Sequence, residues 1–163
     1  MSDSLLDRMI ARLTAQRTAL RWALDRLEHT PGMVLEVGLG KGRTYDFLRH
    51  SVAPRDILVF DRDLHVGPGL VPEEDRLFLG DFRDTLPGAA TLFGPCARLA
   101  HADFGSPDRK HDARQAEWLG PLIAPLMRPG GLVVSDRPFT VPGWERQDLP
   151  DIGDWPYFAW RVG

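Results

Sequence analysis

The sequence predicts one α/β domain, a three-layer αβα sandwich whose mostly parallel sheet has six to seven strands. Its 163 residues are 43% apolar and 26% charged, as in a single compact domain. A long amphipathic segment comes first, and short, almost continuously apolar runs follow it, which is typical of strands buried on both faces. Helical segments alternate with these runs, which favours a parallel sheet covered by helices on both sides.

The first predicted element is an amphipathic helix over residues 4–29. Its apolar side chains recur at three- and four-residue steps from Leu6 to Leu27. Ser4 and Asp7 resemble a capping box, and a Thr-Pro-Gly stop follows at residues 30–32. Such a helix would run about 39 Å, longer than one sheet face requires. It packs on its own domain or also on a second copy, so we expect a homo-oligomer through this helix or an edge strand.

The remaining elements follow from the apolar runs and the glycines and prolines between them. We expect a core over residues 33–136 and a lid loop with an edge strand over residues 137–163, all within one domain spanning residues 1–163. The predicted strands are 33–38, 57–61, 77–79, 97–103, 131–136 and 157–162. The predicted helices are 43–50 and 108–127, while 65–75 is expected to be a loop or a single turn and 138–156 an ordered lid loop.

Charge and composition exclude several classes of partner. The net charge of −3 and the isoelectric point near 5.9 provide no basic field for a nucleic-acid backbone. The sequence has no apolar run long enough to span a membrane and no signal-peptide pattern, so we expect no membrane association and a cytoplasmic location. The single Cys96 lies among apolar residues, which favours an inert buried thiol over a nucleophile.

A glycine-rich loop follows the first predicted strand. Residues 36–42 read Glu-Val-Gly-Leu-Gly-Lys-Gly, and a predicted helix begins directly after them. Glycines allow a ligand to approach the backbone, and the helix N-terminus favours an anionic group. The dinucleotide pattern requires its third glycine at position 43, where this chain has Arg43. This spacing disfavours NAD.

The E-x-G-x-G-x-G loop resembles the first motif of class I S-adenosylmethionine-dependent methyltransferases. Later landmarks occur in the order typical of that family. Asp61 closes the second strand, Gly80-Asp81-Phe82 follows the third, and residues 126–134 resemble the L-x-P-G-G turn into the fifth. The resemblance covers residues 33–136, most closely a small bacterial subgroup. It implies a Rossmann-like fold, S-adenosyl-L-methionine as cofactor and methyl transfer.

The resemblance also implies roles for individual residues. Glu36 would hold the loop or bridge the cofactor ammonium through water, Asp61 would accept both ribose hydroxyls, and Asp81 with Phe82 would hold the adenine. Asp61 could instead be an ordinary strand-end acid and Asp81 a helix N-cap. The predicted cofactor-binding residues are Glu36, Gly38, Leu39, Gly40, Lys41, Gly42, Arg43, Thr44, Asp61, Arg62, Gly80, Asp81, Phe82 and Asp103. Of these, Lys41 and Arg43 would meet the cofactor carboxylate or be solvated.

Candidate catalytic residues stand where the fourth and fifth strands end, since ligands of open α/β sheets lie outside the carboxyl ends of the strands. They are His101, Asp103 and Asp136. These segments resemble the metal-dependent O-methyltransferases, which have metal-binding acids at the end of the fourth strand and Asp-Asn at the end of the fifth. Here His101 stands in place of one of the acids and Arg137 in place of the Asn. A guanidinium repels a cation, so we expect no metal. His101 or Asp103 would be a general base, or His101 a satisfied strand-end residue; Arg137 would hold an anionic substrate or pair with Asp136.

The acceptor is predicted to be a small molecule. No Asn-Pro-Pro-Tyr or Asp-Pro-Pro-Tyr motif follows the fourth strand, which disfavours DNA amines and glutamine as targets. Four tryptophans would form walls for an apolar or aromatic substrate: Trp118, Trp144, Trp155 and Trp160. Tyr45 would face the sulfonium or simply pack in its helix. Two alternatives stay open, a non-catalytic sensor of S-adenosylmethionine or S-adenosylhomocysteine, and an NAD-dependent oxidoreductase.

Overall fold

The computed structural model describes residues 2–104 and 108–163. In this part of the chain the strands are β1 (Met33–Val37), β2 (Ile57–Asp61), β3 (Leu77–Leu79), β4 (Ala97–Ala102), β5 (Met127–Ser135), β6 (Trp144–Gln147) and β7 (Phe158–Val162). The α-helices are α1 (Leu5–Arg26), α2 (Arg43–Arg49), α3 (Phe82–Phe93) and α4 (Arg109–Ile123). Short 3-10 turns occupy residues 54–56, 68–70, 74–76 and 124–126.

The sheet has seven strands in the order β3-β2-β1-β4-β5-β7-β6. The first five strands in the chain are parallel, and β7 runs antiparallel between β5 and β6. The register places Glu36 of β1 opposite His101 of β4, and Ala102 of β4 opposite Ser135 of β5. The carboxyl ends of β1, β4 and β5 are therefore level, and the residues that follow them meet at one edge of the sheet.

Helices cover the sheet on both faces, which confirms the predicted three-layer α/β fold. On one face, α1 and α2 contribute Ala15, Ala19, Leu20, Tyr45 and Leu48 to a buried apolar cluster. On the other face, the apolar cluster includes side chains of α3 and α4, among them Leu86, Ala89, Ala116, Leu119 and Ile123. Burial of these two clusters from water holds the layers together.

The N-terminal helix α1 behaves differently along its length. Ser4 and Asp7 form both halves of the predicted capping box. From Ala15 onwards the apolar face is buried against the sheet, whereas the first turns expose their large apolar side chains. These exposed side chains are Leu5, Leu6, Met9 and Ile10.

No helix in the described part of the chain is long and apolar enough to cross a membrane.

Three elements differ from the sequence prediction. Helix α3 was not predicted, because Pro87 and Gly88 interrupt its helical pattern; burial of Leu86 and Ala89 against the sheet stabilises the helix despite this low propensity. Strand β6 was predicted as loop, because a four-residue edge strand carries too short a pattern to detect. Helix α4 ends at Ile123, and β5 begins at Met127, four residues earlier than predicted.

Candidate cofactor cavity and active site

The glycine loop connects β1 to α2 in a conformation that requires glycine. Gly38, Gly40 and Gly42 all have positive φ angles, of +98°, +53° and +86°. A Cβ at Gly38 would lie 2.9 Å from the ring of Phe104, whereas a Cβ at Gly40 would meet nothing within 4 Å. Gly38 is thus needed for close packing, and Gly40 leaves open space beside the backbone.

Asp61, at the end of β2, holds this loop in place. Its Oδ2 atom accepts hydrogen bonds from the backbone N–H groups of Leu39 and Gly40, both at 2.9 Å. Its Oδ1 atom accepts one from the N–H of Arg62 at 2.7 Å. The predicted ribose-binding acid is therefore more than a solvated strand-end residue, because it anchors the loop that flanks the cavity.

Two cavities lie beside the loop, on either side of Asp61 and Phe104, which line both. The first has a volume of about 270 Å³ and the second about 330 Å³. The first is lined by Arg12, Gln16, Gly38, Leu39, Gly40, Lys41, Arg43, Thr44, Asp61, His65, Asp103 and Phe104. The second is lined by Asp61, Arg62, Gly80, Asp81, Phe82, Arg83, Phe104, His111, Gln115 and Trp118. An elongated ligand with chemically different ends fits such a divided cleft.

The cavities bring together most of the residues predicted to bind the cofactor. Two of the predicted residues, Glu36 and Gly42, line neither cavity. Glu36 is fully buried and accepts a hydrogen bond from Thr44 Oγ1 at 2.9 Å, so it holds the loop rather than reaching the cavity. Gly42 packs against Leu70 and Val66. Asp81 combines both predicted roles, since it caps α3 through the Arg83 N–H and also lines the second cavity.

Several lining residues were missed by sequence reasoning. Arg12 and Gln16 come from α1, outside the motif region, and His65, Arg83, His111 and Gln115 belong to no motif. The four-residue spacing of Arg12 and Gln16 puts them on one face of the helix, but nothing local shows that this face meets β4. Phe104 directly follows a predicted site residue and could have been found by that proximity.

A chain of buried side chains links the loop to the end of β4. Glu36 Oε1 accepts a hydrogen bond from His101 Nδ1 at 2.6 Å. The other ring nitrogen, Nε2, lies 2.6 Å from the hydroxyl of Tyr157. That hydroxyl donates to Asp103 Oδ2 at 3.0 Å. Since the hydroxyl has one proton and donates it to Asp103, Nε2 must donate to the hydroxyl oxygen, which makes His101 an imidazolium.

The charges around His101 support this protonation state. Burial disfavours the imidazolium, but the carboxylates of Glu36 and Asp103 outweigh it and raise the pKa of His101. Burial alone would raise the pKa of Asp103, whereas His101 and Arg12 hold it below its ordinary value. Both nitrogens of His101 are thus engaged, and its side chain is 1% exposed. The alternative of a satisfied strand-end histidine describes this geometry.

Asp103 and Asp136 form a coupled pair of acids at the ends of β4 and β5. Burial and the neighbouring Asp103 raise the pKa of Asp136 to about 7. The surrounding charges thus favour a proton on Asp136, whereas they hold Asp103 ionised. The side chain of Asp103 is 1% exposed and that of Asp136 is 10% exposed. Asp103 also lines the first cavity.

Arg137 is buried and occupied by protein groups. Its guanidinium lies 2.8 Å from Asp136 Oδ2 and 3.3 Å from Asp112 Oδ1, and its Nε donates to Gln115 Oε1 at 3.0 Å. The ring of Phe104 lies 4.7 Å from its Cζ atom. The structure thus has the predicted pairing with Asp136. In the described residues no group of three or more His, Cys, Asp or Glu side chains is placed to hold a metal ion.

The aromatic residues that were expected to form substrate walls divide between cavity and core. Trp118 lines the second cavity, beneath the guanidinium of Arg83. Trp144 and Trp160 instead pack with Phe139 in the apolar cluster on the α3–α4 face. Trp155 packs on the opposite face. The prediction that Trp144, Trp155 and Trp160 form substrate walls is therefore wrong. Tyr45 is buried and lies under Arg49, in agreement with the interpretation that it packs in its helix.

Comparisons with known proteins agree with this geometry. Over residues 3–162 the chain matches a family described as S-adenosyl-L-methionine methyltransferase. The chain belongs to this family. A similar crystal structure is that of an S-adenosyl-L-methionine methyl transferase from Silicibacter pomeroyi, with 40% identity and a TM-score of 0.91 over 99% of this chain and 100% of that one. No curated protein sequence matches the chain.

Two other solved structures share the fold at lower identity. TrmN from Thermus thermophilus is 20% identical with a TM-score of 0.59, covering 88% of this methyltransferase and 48% of that chain. MycE from the mycinamycin biosynthetic pathway, solved with Mg, S-adenosylhomocysteine and mycinamycin VI, is 18% identical with a TM-score of 0.53, covering 94% and 48%. Family membership identifies S-adenosyl-L-methionine as the cofactor and excludes the NAD-dependent oxidoreductase.

The residues of the two cavities fit this cofactor. The open space beside Gly40 admits a ligand against the backbone, and Asp61 stands at the junction where a ribose would lie. In the second cavity, Phe82 and Trp118 offer aromatic surfaces and Asp81 offers an acceptor for an adenine amino group. The first cavity has charged side chains of both signs, which suit a zwitterionic amino-acid end.

Proposed function

We propose that this methyltransferase transfers the methyl group of S-adenosyl-L-methionine to a small-molecule acceptor at the carboxyl ends of β4 and β5. The observation that carries the proposal is the position of Asp103, which lines the same cavity as the open glycine loop and stands next to Asp136 at the ends of β4 and β5. The cavity of about 270 Å³ is covered on one side by Arg12 and Gln16.

The cofactor supplies an electrophilic methyl group, so the chain has to orient the acceptor, exclude water and remove a proton where the nucleophile carries one. We assign this proton to Asp136 of the Asp103–Asp136 pair. A carboxyl group with a pKa of about 7, as at Asp136, is poised to accept a proton near neutral pH. Arg137 stabilises the pair through its contact with Asp136.

His101 has a different place in this proposal. Both of its nitrogens are bonded inside the protein, to Glu36 and Tyr157, which leaves no lone pair for a substrate proton. As an imidazolium it favours the ionised form of Asp103 through the bridging Tyr157 hydroxyl. We therefore propose that His101 is a positioning residue and that Asp136, rather than His101, is the general base.

Incubation with methyl-labelled S-adenosyl-L-methionine and a panel of small metabolites tests the function. We expect label in one acceptor class, and its loss in Asp136→Asn with cofactor affinity retained. Asp84→Asn, an exposed acid on α3, is the matched control and should transfer at the wild-type rate. Binding of the cofactor without transfer to any acceptor, together with a change of assembly on binding, would favour the non-catalytic sensor instead.

We also propose that the chain forms a homo-oligomer through the exposed first turns of α1. Leu5 and Leu6 are 84% and 68% exposed, and Met9 and Ile10 extend the same apolar surface. A contiguous apolar surface on a helix is typically covered by a partner, and a second copy offers the same surface for a two-fold contact. Strand β6 is itself the edge of the sheet and has only four residues, so it offers few backbone groups to a partner strand, which supports the helix over the edge strand as the contact.

A further inference from the structure

We propose that Arg12 and Asp103 together bind the amino-acid end of S-adenosyl-L-methionine, with Arg12 taking its α-carboxylate and Asp103 its α-ammonium. Arg12 lies on α1 and Asp103 follows β4. The proposal rests on the same cofactor cavity as the proposed function. It concerns how the cofactor is held, so it can be tested without knowing the acceptor.

The two side chains form a pair of opposite charges matched to a zwitterion. Arg12 Nη2 lies 3.1 Å from Asp103 Oδ1, and both residues line the first cavity. In an α-amino acid the ammonium and the carboxylate are attached to one carbon atom, so the protein groups that recognise them must also lie side by side. Of the charged side chains lining this cavity, Asp61 is directed to the glycine loop instead.

The guanidinium of Arg12 has bonding capacity left over. One of its terminal nitrogens donates to Asp103, while its buried Nε atom has no hydrogen-bond partner in the described part of the chain. A buried N–H without an acceptor is costly, and a carboxylate is the acceptor that a guanidinium binds best, through two parallel hydrogen bonds. The carboxylate of the cofactor would bind the guanidinium edge that faces the cavity, and it would satisfy Nε if the side chain turns toward the ligand.

Asp103 is held ready for an ammonium group. Gln16 Nε2 donates to its Oδ2 at 2.6 Å, and Tyr157 donates to the same atom at 3.0 Å. The positive charges of His101 and Arg12, together with the Gln16 hydrogen bond, keep the pKa of Asp103 below its ordinary value despite burial, so it is ionised at neutral pH. A fixed carboxylate can recognise a cation without reorganising.

Lys41 and Arg43, predicted to meet the cofactor carboxylate, fit this task less well. Both line the cavity, but both are exposed, and their charges are screened by solvent. Arg12 is only 23% exposed at its side chain and emerges from the part of α1 that Ala15 and Ala19 anchor to the sheet. The N-terminal helix is thereby part of the cofactor site, and Asp136 is left to serve the acceptor.

Calorimetry with three ligands tests the proposal: S-adenosyl-L-methionine, its decarboxylated analogue, and 5′-methylthioadenosine, which has no amino-acid part. We expect wild-type protein to bind the decarboxylated analogue roughly tenfold to a hundredfold more weakly than the cofactor. Arg12→Gln should weaken the cofactor by a similar factor, leave the decarboxylated analogue little changed, and leave 5′-methylthioadenosine unchanged. Arg8→Gln, an exposed arginine one turn earlier on α1, should bind all three ligands as wild type does.

Two results would overturn the proposal. The first is equal affinity of wild-type protein for the cofactor and its decarboxylated analogue, which needs no variant and so does not depend on how a variant folds. The second is an equal loss for all three ligands in Arg12→Gln, which would make Arg12 a structural residue only. If Arg12→Gln binds the cofactor normally while the wild type transfers methyl groups, this proposal fails and the proposed function stands. If binding depends on Arg12 but no methyl group is transferred, this proposal stands and the proposed function fails.

Discussion

Asp103 receives hydrogen bonds from side chains of two distant parts of the chain. Arg12 and Gln16 reach it from α1, and Tyr157 reaches it from the segment just before β7. Burial raises the pKa of its partner Asp136 as well, but there the negative charge of Asp103 adds to the effect of burial, so Asp136 retains its proton to higher pH. Unequal environments thus give two chemically identical carboxyl groups different pKa values.

The raised pKa of Asp136 predicts a pH dependence of stability. Its pKa is near 3.8 when unfolded and about 7 when folded, so between these values the native state binds more protons. The free energy of unfolding contributed by this group is therefore fully present below about pH 4 and is lost as the pH rises through 7. Asp136→Asn removes this loss.

Urea denaturation at pH 5 and pH 8 measures the effect. For each pH we compare the unfolding free energy of the wild type with that of Asp136→Asn. We expect the wild type to lose stability relative to the variant between pH 5 and pH 8. Asp84→Asn should show no such change between the two pH values. A difference that is the same at both pH values for Asp136→Asn would mean that its carboxyl group is not the titrating one.

Asp61 and Gly40 provide a second test at single residues. Asp61→Ala removes the acceptor for two loop N–H groups, and Gly40→Val places a branched side chain in open space at a φ of +53°. Each should weaken binding of S-adenosyl-L-methionine at least tenfold, about 1.4 kcal/mol, in a calorimetric titration.

The matched control is Asp63→Ala, since Asp63 is an exposed acid two residues after Asp61. It should bind with wild-type affinity. If both Asp61→Ala and Gly40→Val also bind normally, the cofactor is not in the cavity beside this loop.

Among the elements, α1 has three different environments along its length. Its first turns are exposed, its middle presents Arg12 and Gln16 to the cavity, and from Ala15 onwards its apolar face packs on the sheet. The same apolar stripe runs through the exposed and the buried parts. Periodicity alone therefore predicts the helix but not which of its turns meet the sheet.

The exposed turns predict an oligomer that polar substitution should dissociate. Light scattering after size-exclusion chromatography should give a dimer for wild type and a monomer for the double variant Leu6→Asp, Ile10→Asp, because the charges oppose burial of this surface. Its melting temperature measured at the same concentration should fall only by the contribution of assembly.

Leu92→Asp is the matched control, because Leu92 is 73% exposed but lies on α3, away from the N-terminal helix. It should remain a dimer. A monomeric wild type, or a dimer that survives both aspartates, would exclude α1 as the contact.

At the scale of the whole molecule, the parallel register makes the site. Because β1, β4 and β5 end at the same level, residues separated by dozens of positions in the chain form one cleft. Ligand binding to that cleft should then stabilise the domain as a unit. S-adenosylhomocysteine at a hundred times its dissociation constant adds about 2.7 kcal/mol, which corresponds to roughly 5 to 11 °C in melting temperature.

Thermal unfolding followed by circular dichroism checks this. NAD at the same concentration should give no shift, and Asp61→Ala should show a smaller shift with S-adenosylhomocysteine than the wild type. An equal shift with both ligands would contradict selective binding of the cofactor.

The sequence by itself determined the fold class and the parallel strands, and its resemblance to the class I methyltransferases identified the cofactor, because these depend on local signals. Apolar runs, the glycine spacing of residues 38–42 and the acids at strand ends are all short patterns whose chemistry is fixed within a few residues. The same patterns placed Asp61, Asp81 and Asp103 beside the predicted cleft, and the structure has them there. Where the local signal was weak, at α3 with its internal proline and at the short β6, the prediction was wrong.

Only the tertiary structure decided how the charged residues are used. The contacts of Asp103 with Arg12 and Gln16 join residues 91 and 87 positions apart, and that with Tyr157 spans 54. No periodicity extends over such separations, and packing of α1 on the sheet, together with pairing of β7 with β5, determines which side chains meet. Whether His101 faces a substrate or a hydroxyl depends on burial and on the proton count of its neighbours. These are properties of the folded chain, because burial and charge act through space rather than along the sequence.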